Sequence, residues 1–211
     1  MVKRFTAVLF LISLVLVWNK AYAVPNLQIY IPGASYIDET WEIASSDFEL
    51  WVIAANRNLK DVYLTMAVPD DTGSIALTSQ TTGDSFTYSS FSYGTPYSTY
   101  GQLNNTLPTH GIYPSYYAQH SLGDIPLGSE TVYDMVGGGS ATGTILKFDV
   151  SVSGFSNSHY DAYGYYLNPN KPHYTFSPFS HDGAHTPEPA SLSLLGLGLL
   201  GVFIRNKRYL R

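Results

Sequence analysis

Between residues 24 and 186 the apolar side chains recur at every second position, segment after segment. Leu146, Phe148, Val150 and Val152 interleave with Lys147, Asp149 and Ser151. An extended strand sends successive side chains to opposite faces, so this order makes one apolar and one polar face. Leu27, Ile29 and Ile31 repeat the pattern. So do Phe48, Leu50 and Val52 against Glu49, Trp51 and Ile53, and Val62, Leu64 and Met66 against Tyr63 and Thr65. Ser74–Ser79 and Lys171–Phe176 are weaker segments of the same kind. No helical periodicity competes in this region, and Pro and Gly interrupt it often. Many short strands with such turns predict an all-β body of β-sandwich or jelly-roll type. A body of this size buries about two-thirds of its unfolded surface. It does so without disulfides, because the chain has no Cys.

Charge narrows the partners. The segment 24–186 holds only four basic residues, Arg57, Lys60, Lys147 and Lys171, against fifteen of the sixteen acids, a balance of −11. Such a surface repels phosphate backbones, so nucleic acid is excluded as a partner. Docking on anionic lipid is disfavoured for the same reason.

The two ends differ from this body. Lys3 and Arg4 precede an apolar stretch from Phe5 to Trp18, and Ala21-Tyr22-Ala23 follows. A positive start, a short apolar run and small residues at Ala21 and Ala23 predict a helical signal peptide over 1–23, cut by signal peptidase. The alternative is an uncleaved anchor, for which the run is short. At the other end Thr186-Pro187-Glu188-Pro189 leads into an uncharged Leu- and Gly-rich stretch, 190–204. The basic tail 205–211 follows, with Arg205, Lys207, Arg208 and Arg211. As a helix the stretch spans roughly 22 Å, short of a hydrocarbon core of about 30 Å. It suits temporary retention in the membrane, with the basic tail holding the C-terminus in the cytoplasm.

The order of Pro187, Glu188 and Pro189, apolar span and basic end resembles a PEP-CTERM sorting signal. That resemblance implies a bacterial, membrane-embedded exosortase-like enzyme as partner, with the tail as its substrate. The competing reading is a single-pass tail anchor. Three regions follow: signal peptide 1–23, exported body 24–186, and sorting signal 187–211.

The body also resembles the choice-of-anchor N protein family. The similarity rests on Leu27-Gln28-Ile29-Tyr30-Ile31 with Gly33, on Glu39-Thr40-Trp41 and on Phe48–Ile53. It continues through His110–Tyr113, Phe148–Gly154, His159–Tyr163 and Pro178–Asp182. It implies a function at the cell surface or beyond. It transfers no catalytic residue.

Within the body, 85–123 carries no Asp, Glu, Lys or Arg and is rich in Tyr. A Tyr ring has an apolar face and a hydrogen-bonding tip, which suits sugars and interfaces. Tyr113, Tyr116 and Tyr117 are therefore candidate glycan contacts. In that reading the segment is a long loop or β-excursion that presents Tyr to a glycan or a neighbouring protein; the competing reading is Tyr as sandwich filler in an irregular region. His159, Asp161, His181, Asp182 and His185 are weak metal candidates by donor type. His181 and His185 would align only on a helix, which Gly183 and Pro187 oppose. Ser180-His181-Asp182 has triad residue types, but contiguity does not bring triad side chains together. Asp70-Asp71-Thr72-Gly73 predicts a turn, and Gly137-Gly138-Gly139 a hairpin connection.

These readings predict an exported, non-enzymatic protein without a cofactor, of structural or adhesive type. It is expected at the cell surface or in extracellular matrix, with polysaccharide as a candidate partner and a membrane-anchored precursor. A carbohydrate-binding module is the alternative, and a secreted hydrolase the third reading.

Overall fold

The computed structural model describes residues 23–96 and 111–186. Each alternating segment forms a strand. The chain runs β1 (Leu27–Tyr30), β2 (Ser35–Ile37), β3 (Thr40–Ile43), β4 (Asp47–Ala55), β5 (Leu59–Val68) and β6 (Ser74–Ser79). It continues with β7 (Ser85–Tyr88), β8 (Ser92–Gly94), β9 (Ser115–Ile125), β10 (Glu130–Tyr133) and β11 (Ser140–Ser153). Then come β12 (Ser158–Leu167), β13 (Pro172–Phe176), a single helical turn at Phe179–His181, and β14 (Asp182–His185).

Two sheets result. The first has the order β1-β4-β11-β6-β7, with β10 also paired to β11. The second has the order β2-β3-β14-β12-β5-β9-β8, with β13 also paired to β12. Every pairing is antiparallel except β14 with β3, which is parallel. One core joins the sheets. Leu27, Ile29, Leu50, Val52, Ile75, Leu77, Phe148 and Val150 meet Val62, Leu64, Met66, Tyr160 and Ala162. Burying each large apolar side chain contributes about 1.5–3 kcal/mol before chain entropy is counted. Gly183 lets β1 pass close by, since a Cβ there would lie 2.8 Å from Ile31 Cδ1 and 3.0 Å from Ile29 Cγ2.

The two-sheet, all-β architecture expected from alternation is present. The turn at Asp70 forms, with the Asp70 carboxylate accepting from the Thr72 N–H at 2.9 Å. The Gly137–Gly139 stretch connects the β10–β11 hairpin, with Asp134 N–H bonded to Gly139 O. The Tyr-rich stretch is more regular than a loop, because its described parts form β7, β8 and most of β9. β9 escapes detection because its alternation uses Tyr, Gln and His in place of aliphatic residues. The expected signal-peptide and C-terminal helices lie outside the described residues. Among those described, no helix is long and apolar enough to cross a membrane.

The outer face of the second sheet is also covered. Ala67 and Tyr163 are buried there beneath Tyr113, with Ile112, Tyr63 and Tyr117 packed alongside. That second, smaller core covers much of the polar side of β12.

Candidate functional site

β12 is buried on both faces, so its alternation carries apolar residues inward and polar ones into the outer cover. Tyr160 and Ala162 face the main core. His159, Asp161 and Tyr163 take the opposite side, as positions two apart on a strand must. Register then brings further groups to that side. Asp161 lies opposite Thr65 of β5, and His159 opposite Ala67. On the other flank Ser158, His159 and Tyr160 pair with His185, Ala184 and Gly183 of β14. One more step along this register puts Asp182 beside Asp161.

The result is a buried trio. His159 Nε2 lies 3.4 Å from Asp161 Oδ1 and 3.5 Å from Asp182 Oδ2. The outer oxygens of both carboxylates are held by neutral hydroxyls. Tyr113 donates to Asp161 Oδ2 at 2.6 Å, and Ser177 donates to Asp182 Oδ1 at 2.8 Å. Ser177 in turn accepts from the Ala162 N–H at 3.1 Å. The two carboxylates are thereby oriented with their inner oxygens toward the imidazole.

Electrostatics follow from this enclosure. Burial opposes a charge on His159, but Asp161 and Asp182 outweigh it and push the imidazole up to about 10. Burial and the Asp161 charge push the Asp182 carboxyl up to about 7, against the pull of His159 and Ser177. Burial and the Asp161 charge raise the Tyr113 hydroxyl far above the ordinary phenol value, so it remains a neutral donor.

His159 and Asp182 line one wall of a cavity of about 480 Å³. Its rim carries Asp38, Glu39 and Glu42. Asp38 and Glu39 form the two-residue turn between β2 and β3, with φ of 46° and 67°. Such turns demand positive φ at both central residues, which Asn and Gly satisfy more readily than Glu. The local strain is accepted where two carboxylates overlook the cavity.

The other sequence candidates disperse. His181 faces a different partner, its Nε2 2.8 Å from Asp134 Oδ1 and its Nδ1 2.9 Å from Ser180 Oγ. Asp134 also accepts from the N–H groups of Val136 and Gly137, at 2.9 and 2.6 Å. This line fastens the turn before β14 to the β10–β11 connection. The contiguous Ser180-His181-Asp182 therefore splits between two networks. His185 points into the sandwich and stacks on Phe48 at 6.3 Å. β14 is a strand, so Asp182 and His185, three apart, point to opposite faces. Of the five metal candidates, the fold unites His159, Asp161 and Asp182 and separates His181 and His185.

Tyr113 is a correction to the expected glycan surface. It is 5% exposed and committed to Asp161, so it offers no ring to a sugar. Tyr116 and Tyr117 are half-buried. Tyr116 packs edge-on against Tyr93 of β8 at 5.3 Å. Thr65, Ser177 and the acidic rim went unnoticed in the sequence. No local pattern marks them, since each joins the site through strand register or a turn. Ala23 is exposed at the start of the described chain. Ala21, Pro187, Glu188, Pro189, Arg205, Lys207, Arg208 and Arg211 lie outside the described residues.

Comparison with protein-family models finds the PEP-CTERM protein-sorting motif over residues 185–208. It covers Pro187–Pro189, the apolar stretch and the tail as far as Arg208. The motif marks the chain for export to the cell envelope or surface and for processing by an exosortase-like enzyme. No curated protein and no solved structure matches the chain. The likeness of the body to choice-of-anchor N proteins gains no support from these comparisons.

Proposed function

We propose that this chain is a non-enzymatic protein of the bacterial cell surface or extracellular matrix, structural or adhesive in type. In this reading a signal peptide carries it across the inner membrane. The 190–204 stretch retains the precursor until an exosortase-like enzyme acts near Pro187–Pro189. The observation that carries the reading is the junction between body and signal. The sorting motif begins at residue 185, the last residue of β14. Thr186 is still tied down, its N–H bonded to Ile43 O at 2.9 Å and its hydroxyl to Glu42 at 3.1 Å. A folded module that ends where the signal starts suits release or transfer of the whole body as one unit.

Mass spectrometry of the C-terminal peptide tests this reading in surface and membrane fractions of the producing cell. Surface protein should end near Pro187–Pro189, and Pro187→Ala or Glu188→Ala should leave the chain in the membrane. Unchanged release of both variants would sink the role of the motif.

A second reading is glycan recognition. It is favoured by Tyr93, which is 67% exposed and braced against Tyr116. A glycan array probed with wild type and Tyr93→Ala separates the two readings. Binding that depends on Tyr93 supports recognition, and no binding leaves the structural role.

A further inference from the structure

We propose that His159, Asp161 and Asp182 bind a divalent cation of the zinc or manganese class, bridging β12 and β14. Three independent observations converge on this site. The first is geometric. One donor atom from each residue lies within 4.8 Å of the other two. The His159–carboxylate separations of 3.4 and 3.5 Å exceed a well-formed hydrogen bond of about 2.7–3.2 Å. They match the ligand-to-ligand edge of a tetrahedron around zinc, about 3.3–3.6 Å for metal–ligand bonds near 2.0–2.2 Å. One imidazole and two carboxylates is a donor set for borderline and hard first-row ions, and no thiolate biases it toward soft ones.

The second observation concerns charge. Register sets two carboxylates side by side on neighbouring strands, and the imidazole between them marks where a metal ion can replace its proton and relieve their repulsion. The Lys and Arg residues of the body lie elsewhere. Arg57 sits over Tyr166, Lys60 pairs with Asp124, Lys147 covers Trp51, and Lys171 lies in an exposed turn. A divalent ion with a neutral imidazole and two carboxylates balances to zero.

The third observation is a supporting group and an entry route. Thr65, opposite Asp161 and on the same face, is fully buried, and its hydroxyl has no hydrogen-bond partner. A ligand oxygen or bound water at the site would satisfy it. The cavity that reaches His159 and Asp182 is rimmed by carboxylates, which concentrate cations at its mouth. His159 and Asp182 both line this cavity, which gives an ion a route to the site. The ion would tie β12 to the strand that leads into the sorting motif.

The test uses the full chain, purified in detergent, stripped with a chelator and titrated with ZnCl₂ and, separately, MnCl₂. Calorimetry should show saturation at one ion per chain, and His159→Gln and Asp182→Asn should weaken binding at least tenfold. His181→Gln, which removes a buried imidazole outside the site, should bind as wild type does. Wild-type protein that binds neither ion saturably overturns the proposal, as does binding that His159→Gln and Asp182→Asn leave unchanged. Should those variants fail to fold, Mn²⁺ on the wild type decides. Selective paramagnetic broadening of the His159 ring resonances supports the site, and broadening elsewhere with His159 sharp refutes it.

Discussion

Replacing His185 by Phe should stabilise this protein, although substitutions in a packed core usually destabilise. His185 is 2% exposed and lies parallel to the Phe48 ring, with 12° between the planes. Neither of its ring nitrogens has a hydrogen-bond partner. A buried donor or acceptor left unsatisfied costs about 1–3 kcal/mol. A neutral imidazole carries one of each, so the penalty is roughly 2–6 kcal/mol. Phe keeps the stacking contact but adds ring volume, and overpacking costs about 1–3 kcal/mol. The expected balance is a gain of about 2 kcal/mol, or a rise of about 4–8 °C in Tm for a domain of this size. The pH dependence supplies a second signature. Burial holds the His185 imidazole below its ordinary pKa. The unfolded chain therefore takes up a proton before the folded one does. That stability is present above the ordinary histidine value and is lost as pH falls toward the lower, folded one. Urea unfolding of wild type and His185→Phe at pH 7.5 and 5.5 should show the variant's advantage widening at the lower pH. A variant less stable at both, with the same slope as wild type, would refute the reasoning that the orphaned nitrogens are a net liability.

Other expectations concern the fastening points of the fold. Asp134→Ala should destabilise by about 1–3 kcal/mol, because it strands the buried His181 imidazole and releases the N–H groups of Val136 and Gly137, and denaturant midpoints would register it. Hydrogen bonds from Gly137, His181 and Val136 overcome the effect of burial and hold the Asp134 carboxyl below its ordinary value. Its contribution should persist above the ordinary carboxylate range and vanish only as pH falls through the depressed value, a limb missing from Asp134→Asn in acid titrations. Gly143→Ala should cost more than 2 kcal/mol or abolish folding, since its Cβ would lie 2.2 Å from the Ala54 carbonyl oxygen in the β4–β11 pairing. Soluble expression and thermal melting would report the loss. Leu64→Ala, at the centre of the main core, should cost about 2–5 kcal/mol by equilibrium unfolding.

Strand faces were legible from residue order alone, because a pleated backbone sends positions i and i+2 to one side whatever surrounds it. That is why Leu146, Phe148, Val150 and Val152 could be grouped before any partner was known. In β12 the same rule sets His159 and Asp161 on a common face. The sorting signal was equally local, a linear pattern of Pro-Glu-Pro, apolar stretch and basic end that needs no fold to be read. β9 stayed hidden because its side chains are aromatic and polar, and its burial depends on the outer cover formed by Ile112 and Tyr113.

Residue order alone thus determined the class of the body, its turns and the address at its C-terminus, since each rests on interactions between near neighbours in the chain. Tertiary structure decided which polar residues meet. Asp182 reaches Asp161 only because β14 inserts between β3 and β12, and the same insertion turns His185 away from His159. Strand neighbours are selected by burial summed over both sheets, a sum to which distant segments contribute equally, so no local pattern could have announced the trio.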